Sequence, residues 1–154
     1  MLCSRLTTFS LLTALFAPAA LAAEAPQWTR TEDVIYGRKH GMALTLDVFS
    51  PKDANEAAVI FTVSGGWFSA HEAINVQIFE EFLRRGYTVF AVVHGSQPKF
   101  TIPEVVDDMH RSVRFIRHHA KKYRIDPDRI AIAGGSAGGH LSLMIGTAGR
   151  EGDP

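Results

Sequence analysis

Ser136 stands in the run Gly134-Gly135-Ser136-Ala137-Gly138-Gly139, directly after the apolar stretch Ile130 to Ala133. A helical pattern of Leu141, Met144, Ile145 and Ala148 follows it. Strand, tight turn and helix form the context in which Gly-x-Ser-x-Gly presents a nucleophile. A serine hydroxyl is a weak nucleophile and must stand clear of its own backbone to meet both a base and a substrate carbonyl. A strained turn does this, and Gly134 and Gly138 fall where a Cβ would collide. The helix begins at the turn, so free N–H groups, that of Ala137 first, point at a developing oxyanion. By chance alone the pattern turns up in roughly one chain in twenty of this length, so the flanking strand and helix carry the reading. The competing reading is a Gly-rich, phosphate-binding β-to-α turn. Neither Gly-x-x-x-x-Gly-Lys nor the Gly-x-Gly-x-x-Gly spacing is present to support it.

A second Gly-rich segment, Ser64-Gly65-Gly66-Trp67, closes the apolar run Ala57 to Val63. Glycines at a strand end let backbone N–H groups approach a ligand, as an oxyanion hole requires. Taken alone it is equally a tight turn with Trp67 as a packing residue; beside Ser136 the oxyanion reading is the better one. Of the seven histidines, His94 ends a strand at the same edge and could line the pocket. His140, one helical turn past Ser136, is carried away from the position of a base and reads as structural. His118 and His119 lie among Arg117, Lys121 and Lys122 and read as solvated, His110 lies on the polar face of the same helix, and His40 and His71 fall in loops. Asp107 or Asp108 is expected to pair with Arg111 or Arg114. No histidine pair sits with an acid at a metal-like spacing, so neither a metal nor a cofactor is expected.

These groups need elements to hold them. Asp33 to Tyr36 reads as a short strand after a polar lead-in, and Gly37 to Gly41 as a turn. Met42 to Phe49 alternates apolar and polar, predicting a half-buried strand that pairs back in a hairpin. Ala57 to Val63 and Tyr87 to Val93 are continuous apolar runs, as in a parallel sheet buried on both faces. A helix is expected over Ile74 to Leu83 with Gly86 as its stop, and a long one from Pro103 to about Tyr123. Asp126-Pro127-Asp128 turns the chain into the Ile130 strand. The order β-β-β-α-β-α-β-α implies an α/β fold: a mainly parallel sheet with an N-terminal antiparallel hairpin and helices on both faces. Ligands in such sheets bind at the carboxyl ends of the strands, where the loops after Val63 and Val93 and Ser136 all lie.

With 154 residues, 46% apolar and 21% charged, the chain holds one domain, and its formal net charge of zero argues against nucleic acid as a partner. Residues 1–22 read as a signal peptide: one early cation at Arg5, an apolar stretch from Leu6 to Leu21, and the cleavage pattern Ala20-Leu21-Ala22. The stretch is short and broken by Pro18, so no stable membrane span is expected after cleavage, and the protein is expected to be periplasmic or secreted. Cys3, the single cysteine, leaves with the signal, which removes disulfide and thiol chemistry from the mature chain. Residues 23–32 are then the lead-in and 33–154 the domain.

Taken together, these residues resemble the α/β-hydrolase fold, in the esterase/lipase branch related to hormone-sensitive lipase and bacterial acyl-esterases. Ser64-Gly65-Gly66-Trp67-Phe68 stands where that branch has His-Gly-Gly-Gly-aromatic. The helix with Asp107-Asp108 and Arg114-Phe115-Ile116 precedes Ile125-Asp126-Pro127-Asp128-Arg129-Ile130, and Gly-Gly-Ser-Ala-Gly-Gly-His follows at 134 to 140. The likeness runs over about residues 33 to 149. It implies Ser136 as nucleophile, Ala137, Gly66 and Trp67 as oxyanion donors, Gly65 shaping the loop, and a small-molecule ester as substrate. Ser64 replaces the loop's histidine and Trp67 its third glycine. In that family an Asp or Glu and then a His follow the serine from later loops. Here the chain ends at Pro154, and Asp153 and His140 are not placed for those roles. The expectation is therefore the N-terminal half of a hydrolase, either a fragment or the product of a truncated gene, and impaired as it stands. A peptidase or acyltransferase on the same scaffold, and a non-catalytic hydrolase-like binding protein, remain as alternatives. Oligomeric state is not legible.

Overall fold

A computed structural model describes residues 27–147. The signal peptide, Asp153 and Ala148 lie outside the described residues. Five strands form one sheet in the order β1-β2-β4-β3-β5: β1 (Trp28–Lys39), β2 (Met42–Pro51), β3 (Ala58–Val63), β4 (Thr88–Val93) and β5 (Ile130–Gly134). β1 pairs antiparallel with β2, and β2 antiparallel with β4, whereas β4, β3 and β5 run parallel. The sheet is thus mixed, with the parallel part carrying the Gly-rich loops.

The opening hairpin is longer than the sequence suggests. β1 starts at Trp28, inside the polar lead-in, because Trp28 pairs with Pro51 and sets its ring edge-on against Phe49 at 5.3 Å. The strand also runs through the expected turn, which shrinks to His40 and Gly41 at φ +47° and +77°. Positive φ at both positions suits the two-residue hairpin turn whose twist matches the strands. β2 alternates as expected at Leu44, Leu46 and Val48, but Asp47 and Phe49 are buried as well. The cause is topological: β4 pairs on its far side, so β2 is an interior strand covered on both faces.

Buried Asp47 finds its compensation locally. Arg30 donates through Nε at 2.7 Å, and the N–H of Asp33, freed at a break in the β1 ladder, donates at 3.1 Å. His71 Nδ1 lies 3.6 Å from the same carboxylate. Glu32, Asp47 and His71 form a cluster of potential metal ligands. The Arg30 guanidinium, 2.6 Å from Asp47 and 3.1 Å from Glu32, supplies the positive charge there.

The strands' two-residue period sends alternate side chains to opposite faces. Ile60, Phe90 and Val92 meet Met109 and Ile116 of α2 (Ile102–His118) on one face. Val59, Val63, Val89 and Ala91 meet Phe79 and Leu83 on the other, where α1 (Glu80–Arg84) lies. Of the helix expected over 74–83 only the last turn forms, as α1; Val76–Ile78 is a 3₁₀ turn, and another, His71–Ala73, precedes it. Asn75 takes the N–H of Gln77 on its side chain, a local bond that competes with helix propagation. Ile78, expected on the buried face, is exposed. α2 starts at a reciprocal capping box between Thr101 and Glu104 and ends one turn early, at His119, before α3 (Ala120–Tyr123). α4 (Ala137–Thr147) packs Leu141 against Phe100 and Val105, on the α2 side of the sheet.

Candidate active site

The turn between β5 and α4 is set by contacts too close for any side chain. A Cβ on Gly134 would come within 2.6 Å of the Gly138 carbonyl carbon, and one on Gly138 within 2.5 Å of the Thr62 carbonyl oxygen. Helix α4 is thus laid on its own strand and on β3 at once. Ser142 fastens the arrangement: its Oγ donates to the Gly138 carbonyl at 2.7 Å and lies 3.2 Å from Thr62 Oγ1. The chain must reverse within Gly135 and Ser136, and Ser136 takes φ +52° to do so. For a non-glycine residue this left-handed conformation is unfavourable. Ser136 is exposed, while Ala137 and Gly138 behind it are buried. The N–H of Ala137 opens α4 and has no acceptor within the helix.

The Gly65 loop lies beside it. β3 and β5 are adjacent and in register, Thr62 opposite Gly134. A Cβ on Gly138 would also meet the Ser64 carbonyl oxygen at 3.6 Å. Gly65 and Phe68 exchange both backbone hydrogen bonds, at 3.0 and 2.9 Å. Between them Gly66 and Trp67 take φ +56° and +59°. Their N–H groups are outside that reciprocal pair, the state in which backbone donors can serve a ligand. Trp67 adopts the backbone conformation glycine favours, at the position where the resembling branch has a glycine. Its indole packs with Phe100, Val105 and Leu141 and meets the His140 ring edge-on at 5.7 Å. His140 is exposed, and this ring contact with Trp67 spans from α4 to the Gly65 loop.

Two serines that no motif singles out, together with Asp108, hold this edge together. Ser69 Oγ donates to the Val63 carbonyl and accepts the His94 N–H. Ser96 Oγ accepts the Ser69 N–H at 2.8 Å and donates to the Ser69 carbonyl at 2.9 Å. Asp108 is buried and takes both the Gly95 N–H, at 2.9 Å, and the Lys39 ammonium, at 2.7 Å. Lys39, a partner that the sequence does not suggest for Asp108, reaches across from the hairpin. The only sequence signal for Ser69 and Ser96 is small hydroxyls near strand ends.

His94 lies two strands away from β5 and is 3% exposed. Its Nδ1 lies 2.7 Å from the Gly95 carbonyl, and its Nε2 is buried without a partner among the described residues. Burial pushes the imidazole below its ordinary range, against the opposing pull of the Gly95 carbonyl and Asp108. Ser64 Oγ and Trp67 Nε1 are likewise buried without partners among the described residues.

Together these elements put exposed Ser136 at the end of β5 and the Gly65–Phe68 turn at the end of the adjacent β3, both on the carboxyl edge of the parallel strands, where ligands bind in sheets of this kind. The BD-FAE family model matches residues 46–153. Among curated proteins, a probable carboxylic ester hydrolase, LipM of Mycobacterium tuberculosis, is 33% identical over 117 residues, covering 73% of this chain and 27% of its own length. Among solved structures, a truncated form of a carbohydrate esterase from gut microbiota superposes with a TM-score of 0.67 at 30% identity, over 80% of this chain and 45% of that one. Esterase 2 of Thermogutta terrifontis, phosphonylated by cyclosarin, gives a TM-score of 0.66 at 28% identity, over 73% of this chain and 45% of that one. The fold is that of these esterases, and the chain spans less than half the length of each.

Proposed function

The chain belongs to the BD-FAE family, and on that premise we propose that it carries the nucleophile and oxyanion-binding half of a carboxylic ester hydrolase working through an acyl-enzyme on Ser136. The observation that carries this reading is the backbone of Ser136, held at φ +52° and exposed between β5 and α4, with the neighbouring strand β3 leading into the Gly65–Phe68 turn. The strain is compensated by the close packing of Gly134 and Gly138, as expected where a side chain must be aimed.

In the proposed reaction Ser136 Oγ attacks the acyl carbonyl as its proton passes to a base. The N–H groups of Gly66, Trp67 and Ala137 hold the resulting oxyanion. Collapse breaks the ester C–O bond, and the alcohol leaves with the proton returned by that base. Water then attacks the acyl-enzyme by the same route, releasing the acid and the free serine. The base and the acid orienting it lie outside the described residues in this reading. Export, on the strength of residues 1–22, belongs to the same proposal. No helix among the described residues is long and apolar enough to cross a membrane.

The test is hydrolysis of aryl acetates by the full-length protein, extended to acylated sugars because one relative is a carbohydrate esterase. Ser136→Ala is expected to lower kcat/KM by at least ~1,000-fold with an unchanged circular dichroism spectrum. Hydrolysis that survives the substitution would remove Ser136 from the reaction.

A further inference from the structure

The segment from Met109 to Ile125 contains no acid, yet it holds Arg111, Arg114, Arg117, Lys121, Lys122 and Arg124 in a chain whose formal net charge is zero. Attraction to the negative end of a helix accounts for cations in the last turn of α2. It does not account for Arg111, which precedes that turn. Arg111, Arg114, Phe115 and His118 follow the three-, four- and seven-residue spacing of one helix face. With Tyr36, Arg117 and His119 they line a cavity of about 470 Å³ between α2 and the edge strand β1. Among the described residues no carboxylate lines it. Like charges gathered this way repel one another, and a bound anion would relieve them.

The lining is held in place before any ligand arrives. Arg111 lies across Gly37, where a Cβ would come within 2.5 Å of its Cδ, and its Nη1 donates to the Arg38 carbonyl at 3.4 Å. The Tyr36 hydroxyl is fixed on the Val93 carbonyl at 2.8 Å. His119 has its Nδ1 2.8 Å from the Phe115 carbonyl and its ring 4.3 Å from the Phe115 ring. The nearest buried acid on the same helix, Asp108, is taken up by Lys39 and the Gly95 N–H. β1 stands four strands from β5, roughly 20 Å across the sheet, so the cavity does not share the space around Ser136.

We propose that this cavity is a second binding site, for a small organic anion bearing clustered phosphate or carboxylate groups. Its volume is in the range of small-molecule sites, and the planar forks of arginine match both kinds of oxygen pair. Phe115 offers an apolar wall to the rest of such a ligand.

Calorimetric titration of the full-length protein with pyrophosphate and with citrate, in buffer of constant ionic strength, tests it, with glucose as the uncharged control. One-to-one binding of either anion is expected, and the preference between them identifies phosphate or carboxylate as the recognised group. Arg117→Glu combined with His118→Glu changes two exposed side chains and is expected to weaken that binding by at least ~10-fold while aryl-ester hydrolysis is unchanged. Arg111→Lys keeps charge and stem but loses the fork, and is expected to weaken it several-fold. No binding of either anion, binding of a long polyanion such as heparin only, or binding indifferent to the Arg117/His118 substitution would each overturn the proposal.

Discussion

Ser136 sits in a backbone conformation that costs a non-glycine residue about 1–2 kcal/mol. Gly135 beside it has open space for a side chain, so crowding alone does not place a glycine-like bend one position later. The strain belongs to the residue whose hydroxyl is displayed. Ser136→Gly should therefore raise the unfolding free energy by about 1 kcal/mol in urea titration, while removing the only hydroxyl at the turn. At this scale His94 also makes a prediction. Burial lowers its folded pKa, so the unfolded chain binds the proton more readily. The stability from a neutral His94 is complete above the ordinary imidazole value of about 6.5 and is lost as pH falls towards the lowered folded value. Urea midpoints measured between pH 7 and 5 should fall with acidification, and His94→Gln should flatten that slope.

At the level of elements, the strands that flank the candidate site are the most legible. Ala58–Val63, Thr88–Val93 and Ile130–Gly134 are nearly continuous apolar runs, and the first two are buried on both faces as that pattern implies. The hairpin is harder to read: a polar edge strand such as β1 leaves only Trp28 and the short run Val34 to Tyr36 as apolar signals and owes its length to pairing with β2. Residues 74–83 show the opposite failure. Phe79 and Leu83 are core residues at helical spacing, but one short turn of helix suffices to place them, and Asn75 satisfies the backbone earlier in another way. Ser69 and Ser96 are invisible in the sequence, and so are the partners of Asp108, because these residues bond groups brought near only by the fold. The glycines are legible for a mechanical reason, the closeness of α4 to β3. Gly138→Ala places a methyl group 2.5 Å from the Thr62 oxygen and should destabilise the chain by about 1–3 kcal/mol in the same titration, whereas Gly135→Ala meets nothing and should cost far less.

At the level of the whole molecule, β5 has a partner on one side only among the described strands, and it carries the candidate nucleophile at its end. Ala131 is exposed on it, and Leu143 and Met144 of α4 are exposed nearby in sequence. A strand with one free edge is a template for pairing. Residues 23–154 expressed alone should associate as concentration rises in sedimentation velocity, and Ala131→Lys should shift the population towards monomer; a monomer at every concentration would contradict this. The account rests most on the display of Ser136 to a reactive acyl or phosphonyl group. The direct measurement is peptide mass spectrometry of the full-length protein after treatment with a fluorophosphonate probe, the chemistry already seen in a phosphonylated relative. The account predicts one adduct, on Ser136, absent from Ser136→Ala. An intact protein that takes no label, or takes it at another residue with Ser136 unmodified, would contradict it.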